Sequence, residues 1–336
     1  MEPRTGDLVL AREAPVGAVG IVPDDARICL GQRTVLLRPD PSRVEPRYLL
    51  YLLLSPQLQH AMTSRSEGST VAHLNMSDIR ALQVPLLHDP GEQRSISESL
   101  GALDAHAELN LRMADNLAAL ARLLYAEVIE GATEMRLDDV ATQIRTSVQP
   151  LRAPTDEFDH YSIPAFDNGR LPERVLGSTI KSGKTLLDGR AVLVSKLNPG
   201  RQWRVWAAAP QADTRAVCST EFLAVQPRKP FPFSYLHAAV RFDQTFRTFV
   251  LAHVAGTTGS HQRIRPGDLL SAPVPRPEEE ALGRWIDSGQ PLLELEDHAR
   301  KQNVVLEKLR DLTLREVFAG RLSLPLPINT DGALVA

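Results

Sequence analysis

The hydrophobic pattern of this chain alternates between two kinds of segment, and the alternation occurs twice. Short β-type runs punctuated by Pro and Gly lead to a Val-Pro boundary, and a long stretch of helical periodicity follows. In the first such stretch Ile96, Leu100, Leu103, Ala107, Asn110, Ala114, Leu117, Ala121, Leu124 and Val128 recur at spacings of four and three. This predicts a helix from Pro90 to about Glu130 whose apolar seam is broken once, at Asn110. In the second, Leu292, Leu295, Ala299, Gln302, Leu306, Leu309 and Thr313 predict a helix from about Glu278 to Ala319, broken at Gln302. Gly131 and Gly320 stand where each helix should stop. A helix of roughly 36 residues is about 55 Å long. The two seams are therefore expected to cover each other as an antiparallel coiled coil, rather than each packing on its own domain.

The alternation reflects an internal repeat. Gly68-Ser69-Thr70, His73, Val84-Pro85 and Glu92 align with Gly256-Thr257-Thr258, His261, Val274-Pro275 and Glu280 at a shift of about 188. Val9-Leu10-Ala11-Arg12 aligns with Leu193-Val194-Ser195-Lys196 at a shift of 184, and Val35–Pro39 answers Leu223–Pro227 between these blocks. Their collinear order makes duplication a better account than chance. The expected boundaries are a first domain at 1–89, a helix at 90–131, a second domain at 132–276, a helix at 277–321 and a tail at 322–336. The copies are unequal: Met135–Asp188 has no counterpart before Gly6, so the first domain is expected to be partial and the second complete.

Composition changes this picture little. The 336 residues are 43% hydrophobic with a net charge of −3, as in a globular protein of about two domains. Two cysteines exclude a disulfide scaffold and a four-thiolate zinc site, and the 5% aromatic content disfavours a stacking-based single-strand binder. The longest apolar run, Tyr48–Leu54, is far too short to span a membrane, so a cytoplasmic protein is expected.

Charge is segregated. Between Ile180 and Arg265 there are thirteen basic and four acidic residues, whereas Arg276–Glu316 carries seven basic and ten acidic. A basic domain on an acidic helix suits duplex DNA, and a solvated basic face is the plainer alternative. The first domain weakens the case, with nine basic and ten acidic residues before Pro90.

Catalytic motifs are not supported. Gly183-Lys184-Thr185 lacks the first P-loop glycine, that position being Ser178. Leu197-Asn198-Pro199-Gly200 lacks the second proline and the aromatic of a methyltransferase motif. His73 and His261 have no ligand-spaced neighbours in both copies, and a structural hydrogen bond from domain to helix is expected of them. Cys29 and Cys218 are read as small core residues on strands.

Taken together, these residues resemble the specificity subunits of type I restriction-modification systems. Arg12–Gly17 with Cys29–Thr34 looks like the latter half of a target recognition domain. The residues from Gly68-Ser69-Thr70 through His73-Leu74, Asp78-Ile79, Val84-Pro85-Leu86 and Glu92-Gln93 resemble that family's junction into its first spacer helix. Val194–Pro199 and Cys218–Phe222 are similar in the second half, and the likeness runs from Gly6 to about Leu322.

The resemblance implies an α+β fold, with two mixed α/β target recognition domains separated by two long helices in an antiparallel coiled coil. It also implies a non-catalytic reader of a bipartite duplex target. The implied partners are double-stranded DNA, methyltransferase subunits docked on the helices and a motor-nuclease restriction subunit, with S-adenosylmethionine, ATP and Mg²⁺ held by those partners and no cofactor in this chain. The alternative is a truncated interaction protein that binds methyltransferase subunits but reads one half-site or none. For DNA contact the expected residues are Lys181, Lys184, Arg201 and Arg204 near Gly or Pro turns, with Lys196 and Arg215 as weaker choices. For the coiled coil and its partners they are Leu103, Asn110, Leu117, Leu124, Leu295, Leu306 and Leu309.

Overall fold

Each copy of the repeat folds around a strand flanked by two antiparallel neighbours. The computed structural model describes residues 2–65, 73–255 and 262–324. The chain divides into one unit of Met1–Leu109 with Val305–Ala336 and a second of Asn110–Val304. The repeated segments Gly68-Ser69-Thr70 and Gly256–His261, and most of the tail, lie outside the described residues.

In the first unit β1 (Leu8–Ala11) lies between β2 (Val19–Ile21) and β3 (Thr34–Leu37). Helices α1 (Pro46–Leu54), α2 (Pro56–Arg65) and α3 (Met76–Arg80) follow, and then the chain enters α4 (Pro90–Val128). Ser55, which precedes a proline, is extended (φ −60°, ψ 144°) and so separates α1 from α2. Leu8 and Leu10 share the buried face of β1 and pack among Tyr48, Leu52, Met62 and Leu74. Val9 and Ala11, on the opposite face, stay partly exposed.

The second unit takes the rest of α4 and continues through β4 (Thr133–Arg136), α5 (Leu137–Val140), β5 (Ala141–Gln143), β6 (Ser147–Val148), β7 (Glu157–Tyr161) and α6 (Ile163–Asp167). Six strands come next: β8 (Glu173–Leu176), β9 (Lys184–Leu187), β10 (Ala191–Ser195), β11 (Val205–Ala208), β12 (Arg215–Cys218) and β13 (Phe222–Pro227). The remaining elements are α7 (Phe233–Phe242), α8 (Gln244–Ala252), α9 (Pro266–Leu270), β14 (Pro273–Arg276), α10 (Glu279–Arg284) and α11 (Gln290–Phe318), whose last turns belong to the first unit. The sheets have the orders β11-β10-β13-β5, β6-β9-β12-β7-β8 and β14-β4.

The duplication extends to register. Leu8 pairs with Leu37 and Leu10 with Val35, and at the aligned positions Val192 pairs with Val225 and Val194 with Leu223. Helices α7, α8 and α9 follow β13 as α1, α2 and α3 follow β3. What differs is the second face of the central strand. All five residues of β10 are buried: Val192 and Val194 join the core under α7 and α8, while Ala191 and Leu193 pack with Trp206, Phe222 and the β12 residues Ala216 and Cys218. The five-stranded sheet thus covers a face that stays half-open in the first unit. Cys218 is the small core residue the sequence suggests, whereas Cys29 is exposed and lies on no strand, because the segment between β2 and β3 forms none.

Within each unit α4 and α11 run antiparallel. In the first, Asp104 pairs with Arg310 (3.2 Å) while Leu314 packs with Ile96 and Leu100. In the second, Asp115 pairs with Arg300 (2.8 Å) and Tyr125 meets the Trp285 ring edge-on at 6.1 Å. Gly131 and Gly320 adopt left-handed φ of +71° and +70° just beyond the helices, a conformation that costs glycine little.

The seam of α4 includes the buried Ile96, Leu100, Asn110, Ala114, Ala121 and Val128, with Leu103, Leu117 and Leu124 half-buried. The seam of α11 departs from expectation. Leu295 and Leu309 are 53% and 46% exposed, and the buried line is Leu293, Glu296, Ala299, Asn303 and Leu314, with Leu306 half-buried. Gln302 is exposed, so the polar seam position is Asn303. A single π-helical stretch, Trp285–Gly289, precedes α11 and changes the phase of the faces entering it. The expected helix from Glu278 is thus helical throughout from Glu279 to Phe318, with this π-helical stretch inside it.

Gly289 is required by this stretch, since a Cβ there would lie 2.2 Å from Cε3 of the fully buried Trp285. Gly289→Ala should cost about 1–3 kcal/mol. Gly283→Ala, with nothing within 4 Å of its Cβ, should gain up to about 1 kcal/mol from helix propensity. Thermal or denaturant unfolding of the two variants checks the pair, and equal effects would be inconsistent with this packing.

Candidate nucleic-acid interface

Just beyond β1 and β10, the two units build the same backbone junction. The Arg12 N–H donates to Arg33 O (2.8 Å), and the Arg12 carbonyl accepts from Leu74 N–H (3.0 Å). At the aligned place the Lys196 N–H donates to Glu221 O (2.8 Å), and the Lys196 carbonyl accepts from Ile264 N–H (3.1 Å). Each junction therefore clamps the strand end to the residues that follow the glycine-rich segment. Asn198, at a φ of +47°, donates its N–H to Gln262 O (2.8 Å) and accepts Gln262 N–H on its side-chain oxygen (3.0 Å). Asparagine tolerates this left-handed conformation better than most residues, which accounts for the Asn-Pro-Gly turn better than any catalytic motif does.

The side chains over the two junctions differ. In the first unit Glu13 binds Arg33 (3.0 Å) and His73 Nδ1 (2.7 Å), while Arg12 reaches His73 Nε2 (2.6 Å) and Leu74 O (2.9 Å). Because Arg12 can only donate, Nε2 accepts and the Nδ1–H of a neutral His73 donates to Glu13. His73 thus makes a structural hydrogen bond, but to the strand end and not to its helix. His261 lies outside the described residues. In the second unit Glu221 and Arg263 form a two-point ion pair (2.9 and 3.0 Å).

The expected DNA-contact residues separate into two groups. Lys181 and Arg201 are exposed. Arg204 is 9% exposed and makes a two-point pair with Asp167 (2.7 and 2.7 Å), and Lys184 is 8% exposed with Nζ donating to Ser182 Oγ (2.5 Å). These two are corrections, because burial and local partners turn both side chains inward. Burial pulls the Lys184 and Lys196 ammonium pKa values down, the latter partly restored by Glu221. Arg215 is exposed but engaged, pairing with Asp156 (2.5 Å) and lying 4.8 Å from the centre of the Phe158 ring.

Sequence reasoning missed a buried ion cluster. Glu296, its side chain 4% exposed, accepts from Arg241 (2.6 and 2.8 Å) and Arg300 (2.9 Å), with Arg170 at 3.6 Å. Arg300 also binds Asp115 on α4, so α4, α7 and α11 are joined through Glu296, Arg300 and Asp115. Burial alone would raise the Glu296 pKa, but its bonds and charge from Arg241 and Arg300 prevail and hold it at about 2. Beside it the buried His237 is pushed down to about 3, by burial first and then by the charge of Arg241. No sequence signal marked Glu296, which reads as one more charge on an acidic helix.

A duplicated sheet-and-helix unit, basic residues exposed at its turns and two antiparallel helices make up the candidate nucleic-acid interface. Residues 3–116 match the family described as Type I restriction modification DNA specificity domain. The chain is 24% identical over 348 residues to the Type I restriction enzyme MjaIX specificity subunit of Methanocaldococcus jannaschii, covering 94% of this chain and 78% of that one. Its fold is that of the type I restriction-modification S subunit from M. genitalium, with a TM-score of 0.62 and 13% identity over 94% of this chain and 83% of the other. In that amino-terminal domain and in its fold the chain is thus similar to type I restriction-modification specificity subunits.

Arg201→Ala should weaken DNA binding and reduce the slope of log K against log salt by about one, as loss of a single phosphate contact does. Arg204→Ala should instead leave Asp167 without its partner and lower the melting temperature; binding titrations at several salt concentrations, with melting curves, separate the two. Acid should destabilise the second unit in two windows. Unfolded His237 takes its proton near 6.5 and the folded one near 3, so stability falls across that interval by up to about 1.4 kcal/mol per pH unit. The Glu296 contribution is present above about 4.5 and is lost as pH falls toward 2. His237→Gln should flatten the upper window and Glu296→Gln the lower in pH-dependent denaturant unfolding.

Proposed function

We propose that the chain reads a bipartite duplex DNA target, one half-site per copy of the repeat, and docks methyltransferase subunits on its helices. The observation that carries this reading is the duplicated unit, in matching register and with equivalent strand-end junctions, each copy leading into a long helix. Two like heads suit two half-sites, and unlike side chains over the same backbone suit two different base sequences.

Docking is supported by the solvent side of α4. Met113, Leu120 and Leu123 are 43%, 46% and 60% exposed and fall within about 80° of one another around the helix. An exposed apolar stripe flanking the seam suits a protein partner. Leu295 and Leu309, exposed on α11, fit such a surface better than the seam expected of them. In this reading S-adenosylmethionine, ATP and Mg²⁺ belong to the methyltransferase and restriction subunits. A one-half-site reader is the second possibility, favoured by the five-stranded sheet, which occurs only in the second unit among the described residues.

Mapping of methylated bases in cells expressing the chain with its methyltransferase should give two specified blocks separated by a fixed number of unspecified base pairs. A single block would select the one-half-site reading, and methylation without any partner would overturn the non-catalytic role. Inserting one heptad into each helix adds about 10 Å and should lengthen the unspecified gap by about three base pairs.

A further inference from the structure

The second unit contains a cleft of about 370 Å³, within the range of small-ligand sites, whose wall includes Trp203, two residues beyond the exposed Arg201. Four guanidinium groups line it: Arg122 from α4, Arg170 after α6, Arg241 from α7 and Arg247 from α8. No Asp or Glu is among its lining residues.

The charge in this cleft is poorly compensated. Arg170 and Arg241 share the single carboxylate of Glu296 with Arg300. The side chains of Arg122 and Arg247 have no ion-pair or hydrogen-bond partner among the described residues. Burial, then the charges of Arg300 and Arg241, push Arg170 down to about 10.

Two further features distinguish the cleft from an ordinary solvated basic face. Arg170 and Arg241 lie over the rings of Phe166 and Phe242, 4.9 and 4.8 Å from their centroids, so their flat groups are held in place. Arg170 adopts a left-handed φ of 56°, a conformation that a non-glycine residue keeps only when its surroundings demand it.

We propose that this cleft binds a nucleotide, with Arg122 and Arg247 taking the phosphate oxygens and the rings of Phe166, Trp203 and Phe242 bounding the rest of it. Guanidinium forks match phosphate geometry, and the aromatic walls suit a flat ring. The phosphate can come from a free mononucleotide or from a nucleotide unit of a DNA strand. The first source is independent of the DNA-reading function, and the second rests on it.

The test uses the full-length chain titrated with AMP, inorganic phosphate and adenosine, followed by tryptophan fluorescence and calorimetry, and separately with its duplex target. AMP should saturate one site per chain and bind at least tenfold more tightly than adenosine. The Arg122→Ala/Arg247→Ala double variant should weaken AMP binding at least tenfold with an unchanged melting temperature. If AMP does not bind but the double variant lowers duplex affinity at least tenfold, while Lys181→Ala/Lys229→Ala changes it less than twofold, the nucleotide is a unit of DNA. If the double variant alters neither AMP nor duplex affinity, the proposal is overturned, including the case in which it loses only the methyltransferase and the cleft is a docking surface for an acidic protein segment.

Discussion

A carboxylate that is 4% exposed can remain ionised only if its surroundings replace the water it has lost, and Glu296 does so through the guanidinium groups of Arg241, Arg300 and Arg170. Taking a carboxylate out of water carries a penalty of several kcal/mol, and removing one partner of such a cluster typically costs about 3–5 kcal/mol. The cluster therefore restricts how α11 can rotate against α7. With Glu296 inward, Leu293, Ala299 and Asn303 must also face inward, and Leu295 and Leu309 must face solvent. The packing of α7, and of the sheet beneath it, against α4 and α11 in the second unit follows from that rotation.

The two copies show how one supersecondary design tolerates different degrees of enclosure. In both, the helix side of the central strand is closed by the two helices that follow the sheet, and the same residue pairs set the register. On the other side, β10 gains a second sheet and buries Ala191 and Leu193, whereas Val9 and Ala11 of β1 remain partly exposed. An antiparallel sheet can leave one face open, so the first unit keeps its strand order without the covering sheet.

The parts legible in the sequence were those in which neighbouring residues decide the outcome. The collinear blocks revealed the duplication, the spacings of Ile96 to Val128 revealed α4, and Gly131 and Gly320 marked helix ends that do adopt left-handed φ. The seam of α11 was misread because a heptad pattern counts apolar residues, and its inward line contains Glu296 and Asn303 while leucines point outward. The same limit applies to the basic residues. Arg204 looks like a phosphate ligand until Asp167, 37 positions earlier in the chain, is found against it, and Arg215 likewise meets Asp156.

Those distant partners also change what the charge count means. Of the basic residues between Ile180 and Arg265, Arg204, Arg215, Arg241 and Arg263 are held in ion pairs and Lys184 is buried. Three of the neutralising carboxylates, Asp156, Asp167 and Glu296, lie outside that segment. Counterion release depends on the cations that meet phosphate, so the salt dependence of DNA binding should follow the smaller set that includes Lys181 and Arg201, not all thirteen. An ion pair within the fold removes a charge from the external field yet keeps the recognition surface rigid. A chain with a net charge of −3 can in this way keep a basic segment while four of the nine arginines between Ile180 and Arg265 are held in ion pairs within the fold.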